Sequence, residues 1–213
     1  MSLPNHTVFS GGHIEEMVKF ATSEENTEIL NQAERANPYE RNFIYVLGGL
    51  PDATDMVKDK RYQEVIFCHL PGKRSREMIK TYREANNKIL DKGAIPVFST
   101  IPTMSILNWN THRYNTKHTS YLIHLDYYDD MQHFLNETLE IVNNEIFAIN
   151  EENLVMTPHL AGHITTKRGE GEGHRVRYSR LWDGCHPVDP VIENWEKSLY
   201  RIMAINRHRY RLL

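Results

Sequence analysis

Phe43-Ile44-Tyr45-Val46-Leu47-Gly48-Gly49 is the stretch on which the fold turns. Its consecutive aromatic, β-branched and aliphatic residues leave no polar position to face water. The run therefore reads as a strand buried on both faces and closed by the glycine pair, a pattern typical of parallel sheets covered by helices. On its carboxyl side, Ile95-Pro96-Val97-Phe98-Ser99-Thr100 repeats the pattern, with a proline early enough to be tolerated at a strand's start. Val65-Ile66-Phe67 is a weaker strand candidate. On the amino side, Thr7-Val8-Phe9-Ser10 is a short β-type run ended by Gly11-Gly12.

Between these runs the apolar period changes to that of a helix. Ile14, Met17, Val18 and Ala21 share a face, and Glu15 and Glu16 fall in the first turn, where negative charge is favoured. Met78, Ile79, Tyr82, Ala85, Ile89 and Leu90 mark a second helix, with Ser75 as its cap and Gly93 as its stop. The stripe Met131, Phe134, Leu135, Leu139, Val142, Ile146 and Ile149 predicts a long helix over about 126–150. Val191, Ile192, Trp195, Leu199, Ile202 and Met203 predict a last one. Residues 164–180, polar, basic and interrupted by Gly169, Gly171 and Gly173, read as an exposed loop or hairpin tip. Strands alternating with helices predict a three-layer α/β sandwich with a mainly parallel central sheet, as one domain over 1–213.

The composition narrows the class. The 213 residues are 40% hydrophobic and 25% charged, ordinary for a globular domain with a sizeable core. No apolar run reaches the length of a membrane span, and the first residues lack the features of a secretory leader. Two cysteines, Cys68 and Cys185, cannot make a disulfide framework. The expectation is an intracellular protein with no membrane partner. Charge is unevenly spread: residues 163–213 carry a net +4 and residues 1–162 a net −7. Arg175, Arg177 and the arginines of the tail, interleaved with His174, Tyr178, His208 and Tyr210, form a basic, ring-bearing end of the kind that contacts single-stranded nucleic acid.

Ligands of parallel α/β sheets bind beyond the carboxyl ends of the strands. The chemistry is therefore sought in Ser10-Gly11-Gly12-His13, in Gly48-Gly49-Leu50-Pro51-Asp52, in the segment from Thr100 through Asn108-Trp109-Asn110, and in Asp183-Gly184-Cys185-His186 before the last helix. This order of blocks resembles the SGNH, or GDSL-type, hydrolase family, over about Val8 to Ile205. The style of "TIPTMSILNWN" and "RLWDGCHP" is similar to SGNH-like domains encoded by eukaryotic mobile elements. The resemblance implies a serine nucleophile in the first block, an oxyanion hole from Gly and Asn in the middle blocks, and base and orienting acid from Asp-x-x-His. Carried over, Asp183 and His186 match the last block. His13 stands at the nucleophile position and Pro51 at the oxyanion Asn, and proline has no N–H to donate.

The resemblance thus implies a degenerate scaffold, a binding or assembly module with a cleft of Ser10, His13, Gly49, Asp52, Asn108, Asn110, Asp183 and His186, open to a small acyl or glycan ligand. Its alternative is a divergent esterase with Ser10 as displaced nucleophile, His186 as base and Asp183 as orienter. A third reading takes the basic end, with Arg175 and Arg177, as a nucleic-acid contact. Cys185, beside His186, is a further nucleophile candidate. His159 and His163 have the four-residue spacing of helical metal ligands, but no Glu accompanies the pair as in the zinc-protease motif, and Gly162 weakens the helix. No metal and no cofactor are expected.

Overall fold

A computed structural model describes residues 12–36, 41–54, 71–109, 128–166, 175–176 and 180–211. Among the described residues the named elements follow in order: α1 Ile14–Ala21, α2 Glu24–Ala36, β1 Asn42–Val46, α3 Leu50–Ala53, α4 Pro71–Leu90, β2 Ala94–Phe98, α5 Tyr128–Glu152, β3 Thr165–Thr166, β4 Arg175–Val176 and α6 Asp189–Arg211, with a further helical turn at 106–109 and a 3-10 turn at Ala161–His163. The chain is a mixed α/β protein, mostly helical. β1 and β2 pair in parallel, Asn42 opposite Ala94 through Val46 opposite Phe98. β3 and β4 pair antiparallel, Thr165 with Val176, at the base of the expected hairpin. The strand expected at 7–10 and the candidate at 65–67 lie outside the described residues.

Alternation along the two paired strands sends side chains to opposite faces. Ile44, Val46, Ala94 and Phe98 join the main core, built with Ile14 and Val18 of α1, Met78, Tyr82, Ala85 and Ile89 of α4, and Leu135, Leu139, Val142, Ile146 and Ile149 of α5. Phe43, Tyr45, Ile95 and Val97 face the other way, with Val155 and, from α6, Tyr210. Helices α1, α4 and α5 thus pack on one face of the pair, and α6 reaches the other with Tyr210. β2 is buried throughout, as its composition requires. β1 is not: only Val46 is buried and its other four residues are half-buried, so the expectation of a strand enclosed on both faces is corrected for β1. Ser75 is likewise no cap. The helix starts at Pro71, four residues earlier, where proline's missing N–H costs nothing, and Ser75 is buried inside it.

The side of β2 that faces away from β1 is satisfied in an unusual way. In a strand, one residue's N–H and C=O point to the same side, and neighbours alternate. Ser99 donates to Val46 O across the parallel ladder, so the groups of Pro96 and Phe98 point the other way. There Asn150 of α5 takes both polar groups of Phe98: its Oδ1 accepts the N–H at 3.0 Å and its Nδ2 donates to the C=O at 2.7 Å. Asn143 does the same for Ile101, at 2.7 and 3.1 Å. Asn136 accepts from Thr103 Oγ1, and Gln132 bridges Met104 O and Ile106 N. Asn136, Asn143 and Asn150 recur every seven residues on one face of α5, a row of amides that replaces a strand's hydrogen bonds. Pro96 tolerates its place at the middle of β2 because its absent donor faces this side, where Asn153 asks only for its carbonyl. Beyond the row, Thr100 N–H reaches Pro158 O, and Asn206 of α6 grips both polar groups of Met156.

Candidate functional site

Four segments are joined in sequence at the carboxyl ends of β1 and β2. His13 and Ile14, at the start of α1, bond Asp52. Gly49, after β1, lies so close to Ile101, after β2, that a Cβ there would stand 2.9 Å from its Cδ1 and 2.3 Å from Tyr82 Oη. With φ at 107° as well, this position admits only glycine. Ser105 N–H donates to Gly184 O at 2.6 Å, tying the loop after β2 to the Asp-x-x-His turn. Trp109 then meets His186 edge to face, ring centroids 5.5 Å apart.

The turn itself is built around Asp183. Its Oδ1 accepts the N–H groups of Cys185 at 2.8 Å and His186 at 2.7 Å, and its Oδ2 lies 2.6 Å from His186 Nδ1. Burial would raise the Asp183 pKa, but the His186 N–H, the His186 ring and the Cys185 N–H outweigh it and hold the carboxyl below its ordinary value. Gly184, at φ 91°, lets the chain fold back, so that Trp182 N–H reaches His186 O and Leu181 pairs with Pro187. A Cβ on Gly184 would meet Trp109 N at 2.5 Å. With Nδ1 committed to Asp183, a neutral His186 presents Nε2 as acceptor. Its ring stacks on Trp182 at 5.8 Å, an indole 61% exposed. The pair is an oriented imidazole able to take a proton, on a carboxylate able to stabilise the resulting cation.

The second histidine–carboxylate pair has another character. Asp52 Oδ1 lies 3.3 Å from His13 Nδ1, and Oδ2 accepts the Ile14 N–H at 3.2 Å, at the positive end of α1. Burial raises the Asp52 pKa, while Ile14 N–H and His13 pull against it. Asp52 in turn adds to the burial that drives the Tyr82 phenol far upward. His13 caps α1 and turns to Asp52; its ring does not bond Asp183 or His186.

The remaining candidates separate. Ser10, Asn110 and Arg177 lie outside the described residues. Asn108 is exposed, its Cβ against Gly184 and its N–H on Ser105 Oγ. Arg175 places its backbone in β4, opposite Thr166. The Cys185 thiol packs against the main core, and burial with Asp183 nearby pushes its pKa up to about 12, which leaves almost no thiolate to attack with. His159 and His163 do not share an α-helix. His159 bonds Thr100 Oγ1 from the irregular segment after α5, and His163 ends a single 3-10 turn, Ala161–His163, with Gly162 at its centre. Among the described residues no three histidine, cysteine or carboxylate side chains gather as metal ligands. No described helix is long and apolar enough to cross a membrane.

The residues that hold the site, rather than form it, escape a reading by apolar pattern. The α5 amides set the path of residues 98–106, and that path delivers Ser105 to Gly184. Their seven-residue spacing inside an apolar stripe was the signal. Compared with protein-family models, with curated proteins and with solved structures, the chain matches none.

Proposed function

We propose that the chain is an SGNH-like domain, a three-layer α/β sandwich in kind, whose cleft binds a small acyl or glycan ligand without hydrolysing it. The observation that carries this reading is the Asp52 carboxylate on the Ile14 N–H at the head of α1. Acyl transfer needs free donors aimed at a developing oxyanion, each worth roughly 3–4 kcal/mol. Here the helix-terminal amide already serves a carboxylate, and Pro51 offers no N–H. A carboxylate about 5 Å from an oxyanion would oppose it by about 3 kcal/mol at an effective dielectric near 20. The electrostatics thus run against the reaction while leaving His186 Nε2 and the exposed face of Trp182 to hold a ligand.

One observation favours a second reading, a divergent serine esterase acting on small acyl esters with His186 as base, Asp183 as orienter and Ser10 as nucleophile. That observation is the 2.6 Å Asp183–His186 contact, which prepares an imidazole as hydrolases prepare theirs. Turnover of p-nitrophenyl acetate separates the two. The first reading expects the same slow release from the protein and from its His186→Ala and Ser10→Ala variants. Release abolished by both substitutions would establish the esterase and end the binding-module reading.

A further inference from the structure

Away from the Asp183–His186 turn, the carboxyl ends of α5 and α6 and the segment after α5 line a groove of about 720 Å³, a size suited to a small molecule. Phe147, Leu154 and Met156 line it and are 41%, 55% and 41% exposed, a concentration of large apolar side chains left to water. Leu154 also has φ 55°, in the left-handed region that a helix end normally gives to glycine or asparagine. There Leu154 N–H returns to Glu151 O and Val155 N–H to Asn150 O, which closes α5. A leucine in that conformation, more than half exposed, adds little to the fold; its side chain lies along the groove. Glu151 and Arg209 line the same space, and among the described residues neither forms an ion pair, with each other or with any other group. The groove therefore offers one anionic and one cationic point on an apolar floor.

We propose that this groove binds an apolar zwitterion of dipeptide size, its carboxylate on the Arg209 guanidinium, its ammonium on the Glu151 carboxylate and its side chains on Phe147, Leu154 and Met156. Guanidinium and carboxylate match in geometry as well as charge, and two separated charges set the ligand's direction. This inference is independent of what the cleft does.

The test titrates leucyl-leucine into the isotope-labelled protein by nuclear magnetic resonance, beside its N-acetylated and its C-amidated forms. The expected Kd for the free dipeptide is on the order of 0.1–1 mM, weakened about tenfold by either cap. Arg209→Gln should erase the difference between free and amidated peptide, and Glu151→Gln the difference between free and acetylated. Leu154→Gly, which suits the positive φ, should leave Tm no lower while weakening binding, so that lost affinity cannot be ascribed to unfolding. Any of three results would overturn the proposal: no saturable shifts up to about 10 mM, equal binding of capped and free forms, or dependence on one end of the peptide alone.

Discussion

Replacing Asn150 by alanine tests the amide row at its most enclosed member. Asn150 is fully buried, as is Phe98, whose two backbone groups it serves, and its Nδ2 also donates to Thr157 Oγ1 at 3.0 Å. Alanine leaves the Phe98 N–H and C=O without partners in an apolar interior, at about 1–3 kcal/mol each. It also removes the Thr157 bond, worth about 1 kcal/mol. Allowing for relaxation and an entering water, the expected loss is about 3–5 kcal/mol, a large part of the 5–15 kcal/mol that typically separates folded from unfolded. Urea denaturation followed by circular dichroism measures it. The midpoint should fall with the slope unchanged, because the same surface is exposed on unfolding. Asn144→Ala, on the exposed face of the same helix, is the control and should stay within about 0.5 kcal/mol. A loss below about 1 kcal/mol for Asn150→Ala would refute the reasoning, since two buried backbone groups cannot be orphaned so cheaply.

Three further outcomes follow from the Asp-x-x-His turn. Gly184→Ala places a methyl 2.5 Å from Trp109 N and 2.9 Å from Ser105 O at a positive φ, so it should cost about 2 kcal/mol or more and shift the tryptophan emission as Trp109 moves; unchanged Tm and emission would contradict the close approach. Asp183 has a lowered pKa, so its contribution is present above the unfolded carboxyl value and is lost as pH falls through the folded one. Asp183→Asn should therefore destabilise near pH 7 and approach the parent's stability in acid, and a gap independent of pH would show that charge is not what holds the turn. The Cys185 thiol, raised to about 12, should resist iodoacetamide at pH 8 in the folded protein, as peptide mapping would show; rapid alkylation at that position would disprove its burial.

How far sequence reached depended on the kind of signal. Apolar period located every described helix longer than one turn except α2, whose polar composition hides its face, and it found both strands of the parallel pair. The Asp183–His186 pair was legible because its two members lie three residues apart in one turn, so local geometry alone brings them together. The link from His13 to Asp52 was not, because the partners are 39 residues apart and meet only when α1 docks beside the end of β1. The same holds for the half-buried state of β1, which depends on what covers it. It holds too for Cys185, whose inertness comes from the core packed against it.

Sequence alone thus dictated the α/β character and the histidine–aspartate turn before the last helix, because strand and helix periods and the Asp-x-x-His spacing are set by residues close in sequence. Tertiary structure alone decided that β1 and β2, distant in sequence, pair in parallel, and that Asp52 faces a helix amide it occupies. It also decided that, among the described residues, a row of asparagines on α5 takes the backbone groups of Phe98 that a strand would otherwise pair, since a side-chain amide and a backbone amide satisfy the same two groups and only packing selects between them.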